Sequence, residues 1–238
     1  METKPSIEEF VRAQIERWHT QTGRQLPVIT ISSEPGSGGR ILAQALAQRL
    51  KIDLFDRDII KEIAESAHIS GAVIESMEKE RFTGVQDFIS SLVNDRYLWP
   101  GVYLEHLMKV VAVIAGHGNA IIVGRGANFL IPPRERLSIR VIAPLDVRIA
   151  NVAKEFNVSR EDARRRVINR ENRRAAFIRQ SFNAEVADPH NYNLVINTDG
   201  MDIDTMLGAV AGMVLGAKAG TQEKHPAPPK AKAPKPHS

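Results

Sequence analysis

The chain of 238 residues contains no cysteine. That absence removes disulfides, thiolate nucleophiles and cysteine-based metal sites together. Long apolar runs are missing as well. Stretches such as VVAVIAG at 110–116 fall far short of the roughly 20 apolar residues a membrane helix needs. The first ten residues, METKPSIEEF, lack the apolar stretch of a signal peptide, so the expectation is a cytoplasmic protein with no membrane partner. The body of the chain also lacks an excess of either charge. From Lys218 onward, five lysines and one glutamate leave four positive charges, which is the whole formal charge of +4, so residues 1–217 are neutral. Nucleic acid is therefore not the expected partner. His68, His106, His117 and His190 are scattered without metal-ligand spacing, and neither a Ser-His-Asp spacing nor a paired-carboxylate pattern stands out.

What is present is a globular composition, 43% apolar and 25% charged. Ser6 and Glu9 form a capping-box pattern ahead of Ile7, Phe10, Val11, Ile15 and Trp18 at helical spacing, which predicts an N-terminal helix. Buried-strand patterns fall at 28–32, 53–55, 119–124, 137–143 and 192–197, with helical patterns between them and a last one from Asp202 to Gly216. A helix is also expected within about 85–117. Strands alternating with helices predict an α/β fold with a mostly parallel sheet covered on both faces. The segment KHPAPPKAKAPKPHS cannot bury a core and is expected to be a disordered tail.

The strand VITIS is followed by Gly36, Ser37, Gly38 and Gly39, then by apolar residues at helical spacing. Strand, glycine loop and helix form the context of a phosphate-binding loop, where backbone N–H groups and the helix N-terminus hold the anion. The general GxxxxGK[ST] pattern is not met. Gly39 stands at the lysine position, Arg40 follows it, and Ile41 replaces the hydroxyl residue that holds magnesium. Arg40 is the nearest substitute cation by sequence, through its guanidinium fork. If it faces solvent, the arginines of 160–179 are the alternative. A purely structural strand–helix turn is the competing reading of the loop.

Residues 28–60, VITISSEPGSGGRILAQALAQRLKIDLFDRDII, resemble the opening of the cytidylate kinase-like family, a branch of the P-loop nucleoside monophosphate kinases. That branch shows a GSGGR loop without the Walker lysine and a YDRxII-like segment, here FDRDII. The resemblance continues through IIVGRGANFLI (121–131), VIAPLDVRI (141–149), ENRRAAFIRQSFN (171–183) and DPHNYNLVINT (188–198), and covers about 28–215. It implies a P-loop kinase-type three-layer sandwich with a five-stranded sheet, a helical insertion that binds the nucleoside monophosphate, and an arginine-rich lid. The expected division is an N-terminal helical extension (1–26), the kinase-like domain (27–217, insertion about 57–118, lid about 160–190) and the tail (218–238). The implied activity is ATP-dependent phosphoryl transfer with Mg2+ to a nucleoside monophosphate, CMP or dCMP first. The departures from bacterial cytidylate kinases are Gly39, Ile41 and Gly126, which stand for a lysine, a threonine and an aspartate. A catalytically weak nucleotide-binding or regulatory module is the rival reading.

The resemblance also distributes roles. The loop residues Gly36 to Ile41 would hold the donor nucleotide. Segment 160–179 carries eight arginines against three acids, and Arg166, Arg170, Arg173 and Arg174 share one helical face. They correspond to the lid, with Arg40, Arg170 and Arg174 as the catalytic candidates; a solvated basic helix or a nucleic-acid stripe is the alternative. Arg125 would clamp the acceptor phosphate, or else be a salt-bridged structural residue. Asp56 and Arg57 would meet the acceptor, and Asp56 would hold hydrated magnesium or instead cap the following helix. Asp188 would cap or buttress the lid, with a catalytic part as the alternative.

Overall fold

The computed structural model describes residues 6–20, 26–76 and 102–216. Its elements are α1 (Ile7–Thr20), β1 (Val28–Ser33), α2 (Gly39–Leu50), β2 (Asp53–Phe55), α3 (Arg57–Glu65), α4 (Ala67–Glu75), α5 (Val102–His117), β3 (Ala120–Val123), α6 (Ala127–Leu130), β4 (Arg136–Ile142), α7 (Leu145–Phe156), α8 (Arg160–Phe182), β5 (Leu194–Asn197) and α9 (Ile203–Gly216). The five strands form one parallel sheet in the order β2-β3-β1-β4-β5. Parallel neighbours require crossovers, and the intervening helices supply them.

The strand pattern sorts side chains onto two faces. Val28, Phe55, Ala120 and Ile122 face a core built with α1, α3, α4, α5, α6 and the C-terminal turns of α8. Ile29, Ile31, Ile121, Ile139, Val141 and Ile196 face the other, packed by α2 and α9. A sheet buried on both sides explains why its strands read as continuous apolar runs rather than alternating ones. A third cluster, Ile149, Val152, Ala163 and Val167, zips α7 to α8.

The capping box at α1 forms: Ser6 N donates to Glu9 Oε2 at 2.8 Å and Glu9 N to Ser6 Oγ at 3.2 Å. This helix docks on the sheet. Trp18 stacks on His117 at 4.1 Å and near Phe55 at 6.3 Å, and buried Gln14 donates to Asp53 Oδ2 at 2.5 Å. The segment 77–101, with most of the expected 85–117 helix's first half, and the basic tail lie outside the described residues. Among those described, no helix is long and apolar enough to cross a membrane.

Candidate active site

β1, β2 and β3 all end at the same edge of the sheet, where open α/β folds bind ligands. The loop after β1 is braced on several sides. Ser37 Oγ donates to Glu34 O at 2.9 Å and Val141 O at 3.1 Å, Thr198 Oγ1 donates to Ser37 O at 3.1 Å, and Asn151 Nδ2 to Gly36 O at 2.9 Å. Gly38 caps α2 from the left-handed region, φ 81°, with no side-chain bond to the first turn. The first-turn N–H groups of α2 are thus left to an anion.

Gly39 explains the missing lysine. A Cβ at this position would overlap Ser33 Cβ and lie 2.9 Å from Ser33 Oγ. Both neighbours sit at the end of β1, and Ser33 Cβ is fixed by the backbone and cannot rotate away. No side chain fits there without moving the strand or the loop.

The cations of the site come from elsewhere. Arg40 points across the edge to Asp56, with Nη2 at 3.7 Å from Oδ2, and its side chain is 66% exposed. Asp56 caps α3: Oδ1 accepts from Asp58 N at 2.9 Å and Ile59 N at 3.0 Å. Its second oxygen is the one that faces Arg40. Ile41 is 62% exposed beside the loop.

Arg174 reaches in from α8, and its Nη1 donates to Ser33 O at the base of the loop. Burial, and then the guanidinium groups of Arg57, Arg140 and Arg170, hold its pKa down to about 10. Three further arginines are thus near enough to act on Arg174, with Glu171 as the acid that opposes them.

Arg125 stands between Gly124 and Gly126, and all three have positive φ (76°, 56° and 69°). A non-glycine residue there is strained by about 1 kcal/mol, and such strain concentrates at functional sites. Its Nε donates to Arg57 O at 3.3 Å, which lays the side chain over the start of α3. Of the remaining lid candidates, Arg166 and Arg170 lie over the Phe156 ring at 5.6 and 5.4 Å, and Arg173 is exposed. Asp188 accepts from His190 N at 3.0 Å and caps the short turn Pro189–Asn191.

Sequence reasoning missed Glu34, Arg140, Arg148 and Glu171. Glu34, inside the glycine loop, lies 3.3 Å from Arg148 Nε and 3.8 Å from Arg140 Nη2, and accepts from Ala143 N at 3.1 Å. Arg140 also donates to Ser32 Oγ at 2.9 Å and covers the Tyr192 ring. The available signal was an arginine inside each of two apolar patterns, LSIRVIA and PLDVRIA.

A parallel sheet in this order, with a glycine loop between its central strand and the next helix, is a P-loop kinase-type architecture. The sequence model of the cytidylate kinase-like family matches residues 28–200, and the chain belongs to that family. A protein named cytidylate kinase in Methanocaldococcus jannaschii is 24% identical over 79% of this chain and 97% of its own length. Another of that name in Methanopyrus kandleri is 29% identical over 72% of this chain and 84% of its own. Among solved structures, an uncharacterized protein of Eubacterium ventriosum superposes with a TM-score of 0.55 at 18% identity, covering 79% of this chain and 98% of that one, which bears on the fold alone.

Proposed function

We propose that this protein transfers the γ-phosphoryl group of ATP to a nucleoside monophosphate, CMP or dCMP first, giving CDP or dCDP and ADP. The observation that carries the reading is the Arg174 guanidinium bonded to Ser33 O at the base of the loop, beside the uncapped first turn of α2. Phosphoryl transfer asks a protein chiefly for positioning and positive charge around the transferring group. The loop N–H groups and the start of α2 hold the donor phosphates. Arg174 takes the place of the absent lysine, since its guanidinium already bonds Ser33 O beside the closed Gly39 position. Arg57 and Arg125, joined at one edge, receive the acceptor phosphate. The division into an acceptor-binding insertion (about 57–118) and a lid (about 160–190) follows from the same assignment, with Arg166, Arg170 and Arg173 serving the lid.

Magnesium fits this site only as an ion brought by the nucleotide. Ile41 supplies no ligand and Ser37 is buried with its hydroxyl turned onto Glu34 O and Val141 O, which leaves Asp56 Oδ2 as the acidic oxygen at the edge. Asp56 would hold the ion through water, in keeping with magnesium's retained hydration, and the ion would neutralise the β- and γ-phosphates. Release of ADP from ATP over a panel of nucleoside monophosphates tests the reading. Turnover highest with CMP or dCMP is expected; no turnover with any acceptor would overturn it. The exposed apolar Ile41 favours one rival, a nucleotide-binding module without turnover. Calorimetric binding of ATP beside absent turnover would select that rival.

A further inference from the structure

Arg140 and Arg148 are each only 6% exposed. A buried guanidinium is costly unless it is paired and hydrogen-bonded, so these two must be held by carboxylates. Arg148 is held from two sides. Its Nε lies 3.3 Å from Glu34 Oε2 and donates to Ala143 O at 2.9 Å, while its Nη1 donates to Glu171 Oε2 at 3.1 Å. Glu34 belongs to the phosphate loop. Glu171 belongs to α8, three residues before Arg174 and therefore on the adjoining turn of the same face. One buried arginine thus ties the donor loop to the helix that carries the arginine cluster.

The two joints differ in strength. At the first, both side chains are buried or nearly so, and each makes a further bond to the backbone of Ala143. At the second, Glu171 is 36% exposed, and among the described residues Arg148 is its hydrogen-bonded partner. Water competes there, so this is the joint that opens first. Breaking it is expected to leave the first turns of α8 held, through Ala163 and Val167 on Ile149 and Val152, and to loosen the turns that follow them.

We infer that Glu171 is a positioning residue: by bonding Arg148 it docks α8 on the phosphate loop and so sets Arg174 over the base of that loop. The catalytic consequence rests on the kinase reading, whereas the docking does not.

The test uses Glu171→Ala and Glu171→Gln in the full chain. Glu171→Ala is expected to lower kcat with CMP by about tenfold, the worth of one charge-assisted contact, with a smaller loss of ATP affinity. Glu171→Gln is expected to recover most of the loss, because its amide oxygen still accepts from Arg148 Nη1. Hydrogen exchange across α8 residues 168–175 without nucleotide supplies a readout that needs no turnover. Faster exchange in Glu171→Ala with parent-like exchange in Glu171→Gln supports the inference. Parent-like exchange in Glu171→Ala overturns it whatever happens to kcat, and so does equal loss in both variants. If the parent transfers no phosphate to any acceptor, the functional reading fails and the exchange comparison still decides the docking.

Discussion

Restoring the absent lysine is expected to harm this protein. The Cβ of any residue at position 39 would overlap Ser33 Cβ and approach Ser33 Oγ to 2.9 Å and Val141 Cβ to 3.4 Å. Overpacking of this kind costs about 1–3 kcal/mol, and because Gly39 opens α2, only a part of the roughly 0.5–1 kcal/mol that replacing a mid-helix glycine returns applies. Gly39→Ala should therefore lose about 1–2 kcal/mol net, or roughly 2–8 °C in Tm for a chain of this size. Gly39→Lys should lose at least as much and gain no affinity for ATP. Ser33→Gly removes the opposing Cβ, so the pair Ser33→Gly and Gly39→Ala should be more stable than the sum of the single changes. Thermal denaturation of the four proteins measures the coupling, and calorimetry with ATP measures the binding. A Gly39→Lys protein with parent Tm and tighter ATP binding would refute the steric explanation of the lysine's absence.

Other expectations follow from the same geometry. Arg174 is held below the ordinary arginine pKa, to about 10, so its charge destabilises the ligand-free fold at neutral pH; the penalty is full below pH 10 and fades as the pH rises above it. Arg174→Met should accordingly raise Tm by a few degrees, about 1 kcal/mol after the lost bond to Ser33 O is allowed for, while slowing phosphoryl transfer; a lower Tm would contradict this. Pyrophosphate should stabilise the parent more than Arg174→Met, measured as a Tm shift. Arg40→Ala, which gives up an exposed pair at 3.7 Å, should change stability by less than about 1 kcal/mol in thermal denaturation. Trp18→Ala should cost about 3–5 kcal/mol, read as a lower denaturant midpoint, because the indole stacks on His117 within the core.

The fold was legible because its signals were local and mutually consistent. Each described strand begins and ends within two residues of its apolar run, and Ser6 with Glu9 form the capping box that their spacing foretold. The phosphate loop was legible from its glycines, but the direction of Arg40 was not. One residue's step along a helix turns a side chain by about 100°, and the partner that captures Arg40, Asp56, comes from another strand end. Arg174 could be named as one of several arginines on a face; that it alone of the four lid candidates donates to the end of β1 depends on how α8 packs. Glu34, Arg148 and Glu171 lie 137 positions apart from first to last in the chain. Such a network is specified by tertiary contact, and its one trace in the sequence is a charge where an apolar residue was due.

The most direct measurement is single-turnover formation of CDP from ATP and CMP by the parent, Arg174→Ala, Arg174→Lys and Arg40→Ala. Loss of one charge-assisted contact is worth about 1.5–3 kcal/mol, so Arg174→Ala should slow transfer by roughly ten- to a hundredfold. Arg174→Lys should recover part of that rate, since a point charge cannot reproduce the guanidinium fork, and Arg40→Ala should stay close to the parent. A parent that forms CDP, with Arg174→Ala equally fast and Arg40→Ala slow, would contradict the assignment of the missing lysine's charge to α8.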